Sequence, residues 1–332
     1  MKPSHIVLIS ALMLISFIPT TVIAEKLPEG TARITWHGIE NCIRLSNGET
    51  VVVLDPNTGG RVVEYSLKGK DSLYHAPEKP REGHAVFIPD AGRFDIGPEM
   101  KAPKRGPLWD GKWEADVTGP RSARLTSVRD TESTGVQLVR DFTLDSTSSH
   151  LSCTQTIINI SPTTRRYHHW SRTLATGHGI CIVPLTPELS RFPRGYILYG
   201  PGGALIYRHE PHPGIRVRDN FLEVIDTPPS PKFGIDSYAG WLGYITRDDL
   251  LFVKRFPTYP DRRYGEVAAY TISLWYYKDD TCELEPIGPT EVLKPGDRAS
   301  YTEDWWLLPY DYPQDKQVDL VAFETYVDEK AR

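Results

Sequence analysis

Cys282-Glu283-Leu284-Glu285-Pro286, followed by Leu293-Lys294-Pro295-Gly296-Asp297, is the stretch from which the chain is best read. Glu283 and Glu285 are two residues apart in what reads as a β-strand, so both carboxylates leave one face of the sheet. At about 3.3 Å rise per residue their Cα atoms are roughly 6–7 Å apart. Cys282, Leu284 and Pro286 point the other way, which predicts one buried and one wet face. Turns through Gly288-Pro289 and Lys294-Pro295-Gly296-Asp297 follow.

Period-two patterns extend outward from this strand in both directions. Ile43–Leu45 and Val51–Leu54 flank Ser46-Asn47-Gly48, and Asn-Gly is the strongest short hairpin signal. Arg61–Leu67 is a further strand. Residues 123–173 read as a meander that turns at Asp130–Gly135 and Asp145–Ser149. Gly195–Arg208 turns through Gly200-Pro201-Gly202-Gly203, and Trp241–Phe256 turns at Arg247-Asp248-Asp249. Tyr270–Tyr277 and Cys282–Glu285 flank Lys278-Asp279-Asp280, and Ala299–Leu308 is a late strand. His75–Asp110 and Glu210–Ser237 read as long irregular stretches. The best helix candidate is Gln314–Glu329, with Val318, Val321 and Tyr326 among its apolar positions. The 28 Pro and 26 Gly residues also favour turns over long helices. These observations predict an all-β chain, a large antiparallel β-sandwich formed by residues 25–332 as one domain.

Residues 1–24 read as a cleavable signal peptide. Lys2 and His5 precede an apolar run from Ile6 to Ile18, and Val22-Ile23-Ala24 offers small residues for cleavage. The run is short for a membrane span of about 20 residues. The expected location is therefore periplasmic or secreted, with no membrane span after cleavage. A net charge of −5 over 332 residues, with no basic run, argues against nucleic acid as a partner. Cys42, Cys153, Cys181 and Cys282 are widely and irregularly spaced, which argues against a zinc site and leaves both buried thiols and disulfides open. No metal site and no cofactor are expected: phosphate-loop, dinucleotide and zinc-protease signatures are absent, as is the serine-hydrolase elbow.

Three constellations carry chemistry. Paired carboxylates on one face serve proton transfer or grip sugar hydroxyls; a plain solvated polar face is the alternative. The second is Arg165-Arg166-Tyr167-His168-His169-Trp170-Ser171-Arg172-Thr173. As a strand it puts Arg166, His168, Trp170 and Arg172 on one face and Arg165, Tyr167, His169, Ser171 and Thr173 on the other. Guanidinium groups beside a stacking indole suit a sugar, particularly an acidic or decorated one. The third is the glycine-rich stretch Asp90–Glu99, read as an irregular loop in which Arg93 sits among three carboxylates, with Trp109 and Trp113 beyond it. Lys254, Arg255, Arg262 and Arg263 read as surface charge, or as positive charge beside a cleft.

The Cys282–Pro286 and Leu293–Asp297 motifs, with Asn159-Ile160-Ser161 leading to His168-His169, resemble the galactose mutarotase-like superfamily, the aldose 1-epimerases and their relatives. The resemblance covers residues 150–310 and, more loosely, the start from Arg33. Gly92–Glu99 and the Glu303-Asp304-Trp305 ending resemble a secreted branch of that fold. The resemblance implies that Glu285 is a catalytic base and that His168 or His169 is the acid or electrophile. Glu283, Arg93, Arg166, Trp170 and Arg172 are the expected sugar contacts. The family's further histidine has no counterpart in Pro89–Phe94, and His84 lies nearby outside the pattern. Sugar handling is therefore implied more firmly than any one reaction. A paired acid and base would stand about 5–8 Å apart. A carbohydrate-binding protein without catalysis, and a structural envelope protein, are the other readings.

Overall fold

The computed structural model describes residues 27–75, 91–100, 106–277 and 281–332. The expected signal peptide, His84, Asp90 and the Lys278-Asp279-Asp280 stretch lie outside the described residues. Two large antiparallel sheets form the molecule. The first runs, in spatial order, through Thr31–Trp36, Ile39–Ser46, Thr50–Asp55, Arg61–Leu67, Gly92–Gly97, Arg165–Thr176, Thr281–Pro286, Ile272–Tyr277, Lys232–Ile235, Tyr196–Tyr199 and Leu205–Ile206. The second runs from Ile215–Arg218 through Phe221–Val224, Ile180–Pro184, Trp241–Ile245, Leu250–Arg255, Arg298–Pro309, Leu151–Asn159, Val136–Leu144 and Ser122–Thr126 to Glu114–Gly119.

Alternation decides what fills the space between the sheets. Leu284, Cys282, Leu274, Phe94 and Ile96 of the first sheet meet Phe252, Trp305, Leu307, Phe142 and Ile157 of the second in one core cluster. All four cysteines are buried free thiols. The helix at Leu320–Lys330 packs Leu320, Phe323 and Val327 against the outer face of the second sheet. Asp319 caps it by accepting from Ala322 N, so the helix starts six residues later than the sequence pattern suggested. Val321, expected among the packed positions, is exposed.

Two stretches read as irregular are built differently. Glu210–Ser237 contains the strands Ile215–Arg218, Phe221–Val224 and Lys232–Ile235. Its Pro228-Pro229-Ser230-Pro231 run separates the last two, where the chain leaves one sheet for the other. Gly92–Gly97 is a fully buried strand beside Arg165–Thr176. Burial on both faces erases the polar–apolar alternation that would have marked it as a strand.

The Asn159-Ile160-Ser161 and Leu293–Asp297 motifs meet through Asn159. Its side-chain amide donates to Leu293 O at 2.9 Å and Thr163 O at 2.8 Å, and its oxygen accepts from Ser161 N and Ser161 Oγ. Its backbone bonds Gly296 and Asp297, at the tip of the Lys294–Asp297 turn. Every polar atom of this buried side chain is used, so Asn159→Ala leaves several groups unpaired. We expect a loss of about 2–4 kcal/mol in denaturant unfolding, the summed cost of such groups. A loss below about 0.5 kcal/mol, the range of an ordinary surface change, would show that the turn holds without it.

Candidate functional site

The outer face of the first sheet carries the charged residues. The ladder pairs Arg172 with Arg93 on one side and Thr173 with Leu284 on the other, which sets Arg172 between Arg93 and the two glutamates. Arg172 Nε lies 3.0 Å from Glu283 Oε1 and 3.8 Å from Glu285 Oε2. Arg93 Nη2 lies 3.4 Å from the same Glu283 oxygen. Trp109 covers this pair, its ring 5.1 Å from the Arg93 guanidinium and 5.3 Å from that of Arg172. The Trp170 ring also lies against Arg172, 4.7 Å from its guanidinium. Glu283 and Glu285 share one face, as their spacing requires, but the face is not wet: each is only 1% exposed.

The two glutamates have opposite fates. Burial alone would raise Glu283, but Arg172 and Arg93 outweigh it and hold the carboxyl below its usual range. Burial, and then the charge of Glu283, push Glu285 up to about 8, against Arg172 and Lys232. Its Oε1 accepts from Ser273 Oγ at 3.0 Å, and its Oε2 makes no hydrogen bond within the described protein. Lys232 Nζ lies 3.3 Å from Glu99 Oε2 and 5.2 Å from the Tyr199 ring, and Tyr199 donates to the Tyr270 hydroxyl at 3.0 Å. Gly234 leaves space for the Tyr270 ring, which a Cβ there would strike.

His168 forms a second centre on this face. Its Nε2 lies 3.3 Å from Glu266 Oε1, and the same oxygen accepts from Glu99 N at 2.7 Å. Burial would raise Glu266; its contact with His168 outweighs this and holds it below the usual carboxylate range. Gly97 and Gly265 press against the imidazole, and a Cβ on either would overlap it. His168 is four residues from Arg172, about 13 Å along the strand, with Trp170 between them.

His169 and Arg166 fall elsewhere. His169 points into the core, stacks on Tyr301 with ring centroids 5.6 Å apart, and shares a 3.2 Å contact between its Nε2 and Ala299 O. Burial lowers it to about 3, so it stays neutral at ordinary pH. Arg166 is exposed at the start of the strand, opposite Val292. Lys254, read as surface or cleft-side charge, is fully buried between the sheets. Sequence reasoning missed Glu266, Lys232, Tyr199, Tyr270 and Ser273. Alternation in Lys232-Phe233-Gly234-Ile235 is the signal that could have placed Lys232 opposite the core.

No metal-holding group of three or more His, Cys, Asp or Glu exists among the described residues. No helix among them is long and apolar enough to cross a membrane.

Glu285 dictates a pH dependence. Its carboxyl stays protonated in the fold up to about 8, whereas the unfolded value is near 4.5. Stability associated with it is complete below about 4.5 and is lost as pH rises through about 8. Glu285→Gln removes that loss. Thermal unfolding of wild type and variant at pH 5 to 9 should show the variant gaining on wild type as pH rises; a pH-independent difference would contradict the raised value.

No family model matches the chain, and no curated protein matches it. Solved structures do. A protein from Synechocystis sp. PCC 6803 aligns with a TM-score of 0.57 at 15% identity, over 90% of this chain and 100% of that one. A galactose mutarotase-like protein from Lactobacillus casei aligns with a TM-score of 0.56 at 12% identity, over 80% of this chain and 100% of that one. A galactose mutarotase related enzyme from Lactobacillus acidophilus aligns with a TM-score of 0.58 at 9% identity, over 81% and 98%. At such identities the likeness speaks for the fold and not for an activity. The two sheets, their order and these alignments together show that the chain has the galactose mutarotase-like fold.

Proposed function

We propose that this chain binds a carbohydrate at the Arg172–Glu285 face and exchanges a proton with it through Glu285. The observation that carries the reading is the pair of buried carboxyls, one locked ionised by two arginines and the other held neutral with an oxygen left over. Environments that drive two like groups apart separate a proton-transfer group from an electrostatic one. Opening a cyclic hemiacetal needs a proton given to the ring oxygen and another taken from the anomeric hydroxyl. Glu285 carries a proton to give below about pH 8. The ionised Glu266, in contact with His168, is the base on this face for the anomeric proton, and Trp170 Nε1, which makes no hydrogen bond within the described protein, is a donor for a sugar hydroxyl.

The arginines favour a neutral sugar over the acidic one that their sequence pattern suggested. Arg172 and Arg93 are both engaged by Glu283, and Lys232 is engaged by Glu99. Hydroxyls can use the remaining acceptor and donors without breaking an ion pair. A carboxylate or sulfate would have to compete with Glu283 for its guanidinium groups.

Anomer equilibration of freshly dissolved neutral aldohexoses, followed by NMR, tests the reading. Catalysis should fall about 10²–10⁴-fold in Glu285→Gln, the usual contribution of one acid or base. Binding of the same sugar should change little, because glutamine keeps the shape. Full turnover in Glu285→Gln would remove Glu285 from the chemistry. Binding without turnover in either protein would favour a carbohydrate-binding role. Preference for uronic over neutral sugars at low salt would restore the arginines as ligand contacts.

We further propose export, on the strength of the Ile6–Ile18 apolar run and Val22-Ile23-Ala24. Mass spectrometry of protein from the native envelope should find a chain that begins at Glu25. Retention of Met1 there would indicate an anchor instead.

A further inference from the structure

Lys254 is a heavily engaged buried cation directly behind the site. It comes from the second sheet, on Leu250–Arg255, and points inward with Leu250 and Phe252 by strand alternation. Its side chain is 0% exposed. Nζ donates to Ser171 Oγ at 2.6 Å, Thr173 Oγ1 at 3.0 Å and Leu284 O at 3.2 Å, and pairs with Glu303 Oε2 at 3.0 Å. The Trp305 ring lies 4.9 Å away and its indole nitrogen donates to the same Glu303 oxygen.

The three residues of the first sheet in this set are informative. Ser171 and Thr173 bracket Arg172 in sequence, and Leu284 separates Glu283 from Glu285. Successive side chains on a strand leave opposite faces, so each contact made by Lys254 from the core side corresponds to a functional side chain on the outer side. One ammonium thus clamps the strand that carries Arg172 to the strand that carries both glutamates. The ladder between these strands starts at Thr173 opposite Leu284 and runs to Thr176 opposite Thr281, so the clamp grips it at the end nearest Arg172.

We propose that Lys254 is a positioning residue for the outer face: through Ser171, Thr173 and Leu284 it fixes the lateral placement of Arg172 against Glu283 and Glu285. A buried ion pair is by itself weak evidence for stability, since desolvating two charges offsets most of their attraction. Here the geometry assigns the pair a different task, because its remaining donors are spent on the two site strands and not on neighbours within its own sheet. The role is independent of which ligand the face takes, and it can be measured with no ligand present.

The readout is the protonation of Glu285, whose surroundings are set by Glu283 on its own strand, Arg172, Lys232, Ser273, Tyr199 and Tyr270, with Lys254 behind the sheet. The full chain, labelled with ¹³C at glutamate side-chain carboxyls, reports this midpoint by NMR, and Glu285→Gln assigns the signal. Ser171→Ala/Thr173→Val removes two acceptors while leaving the ammonium and Glu303 in place, and valine is close in shape to threonine. This variant should raise the Glu285 midpoint by about one unit, the usual spread among carboxyl environments, because Arg172 moves off its line. Lys254→Met/Glu303→Gln should raise it at least as far. Leu45→Ala, in the same core but on Ile39–Ser46, should lower stability without moving the midpoint. An unmoved midpoint in Ser171→Ala/Thr173→Val overturns the proposal, and a rise confined to Lys254→Met/Glu303→Gln does so too, since it would reveal a field effect and no positioning. A midpoint that moves equally in Leu45→Ala would reduce the role to general stability.

Discussion

The rest of the structure depends on charges that are buried and fully engaged between two sheets. An isolated ammonium or guanidinium in a low-dielectric core is excluded by its desolvation cost, so each must find several partners at once. Lys254 finds four, and Arg140 finds Gln155 on its own sheet, the carbonyl of Phe94 on the other, and those of Gly59 and Gly60 in the connection before Arg61. Gln155 in turn donates to Asp95 O at 2.8 Å. These requirements leave little freedom in how one sheet sits on the other. Apolar packing would tolerate small slides between the sheets; directional donors do not.

Both seams run beneath the same part of the first sheet. Arg140 and Gln155 hold the Gly92–Gly97 strand, which meets its neighbour Arg61–Leu67 only through Val62 and Gly92. Carbonyls that leave the ladder there are satisfied by side chains from below. Lys254 holds the next two strands across. The three strands that carry Arg93, Arg172, Glu283 and Glu285 are therefore fixed from the core side, and their outer side chains can be held in a like-charged, costly arrangement. A neutral glutamate beside an ionised one persists only where the surrounding structure imposes it.

The arginines illustrate how composition misleads about chemistry. Two guanidinium groups and a lysine on one face suggest an anion site, yet each meets a carboxylate of the chain itself. What the face offers is the leftover capacity of Glu285 and Trp170, within a fold shared with proteins named for sugar mutarotation. Fold likeness at 9–15% identity does not transmit activity, so the chemistry rests on these residues.

Much of this protein was legible in its sequence. Period two and turn residues determined the sandwich, the Arg61–Leu67 strand to the residue, and the sharing of one face by Glu283 with Glu285 and by His168, Trp170 and Arg172. Those are local properties, since a strand's alternation follows from its backbone alone. Tertiary structure decided which face is core, and so sent His169 inward and left Arg166 exposed. It also decided that Gly92–Gly97 is a strand, because burial on both sides removes the pattern by which sequence reveals one. Glu266, Lys232 and Tyr199 joined the face from distant parts of the chain, and no local spacing records such meetings. Lys254 is the sharpest case: its place in Leu250–Arg255 gives it an inward direction, but only a second sheet presenting Ser171, Thr173 and Leu284, with Glu303 alongside, makes an inward lysine tolerable.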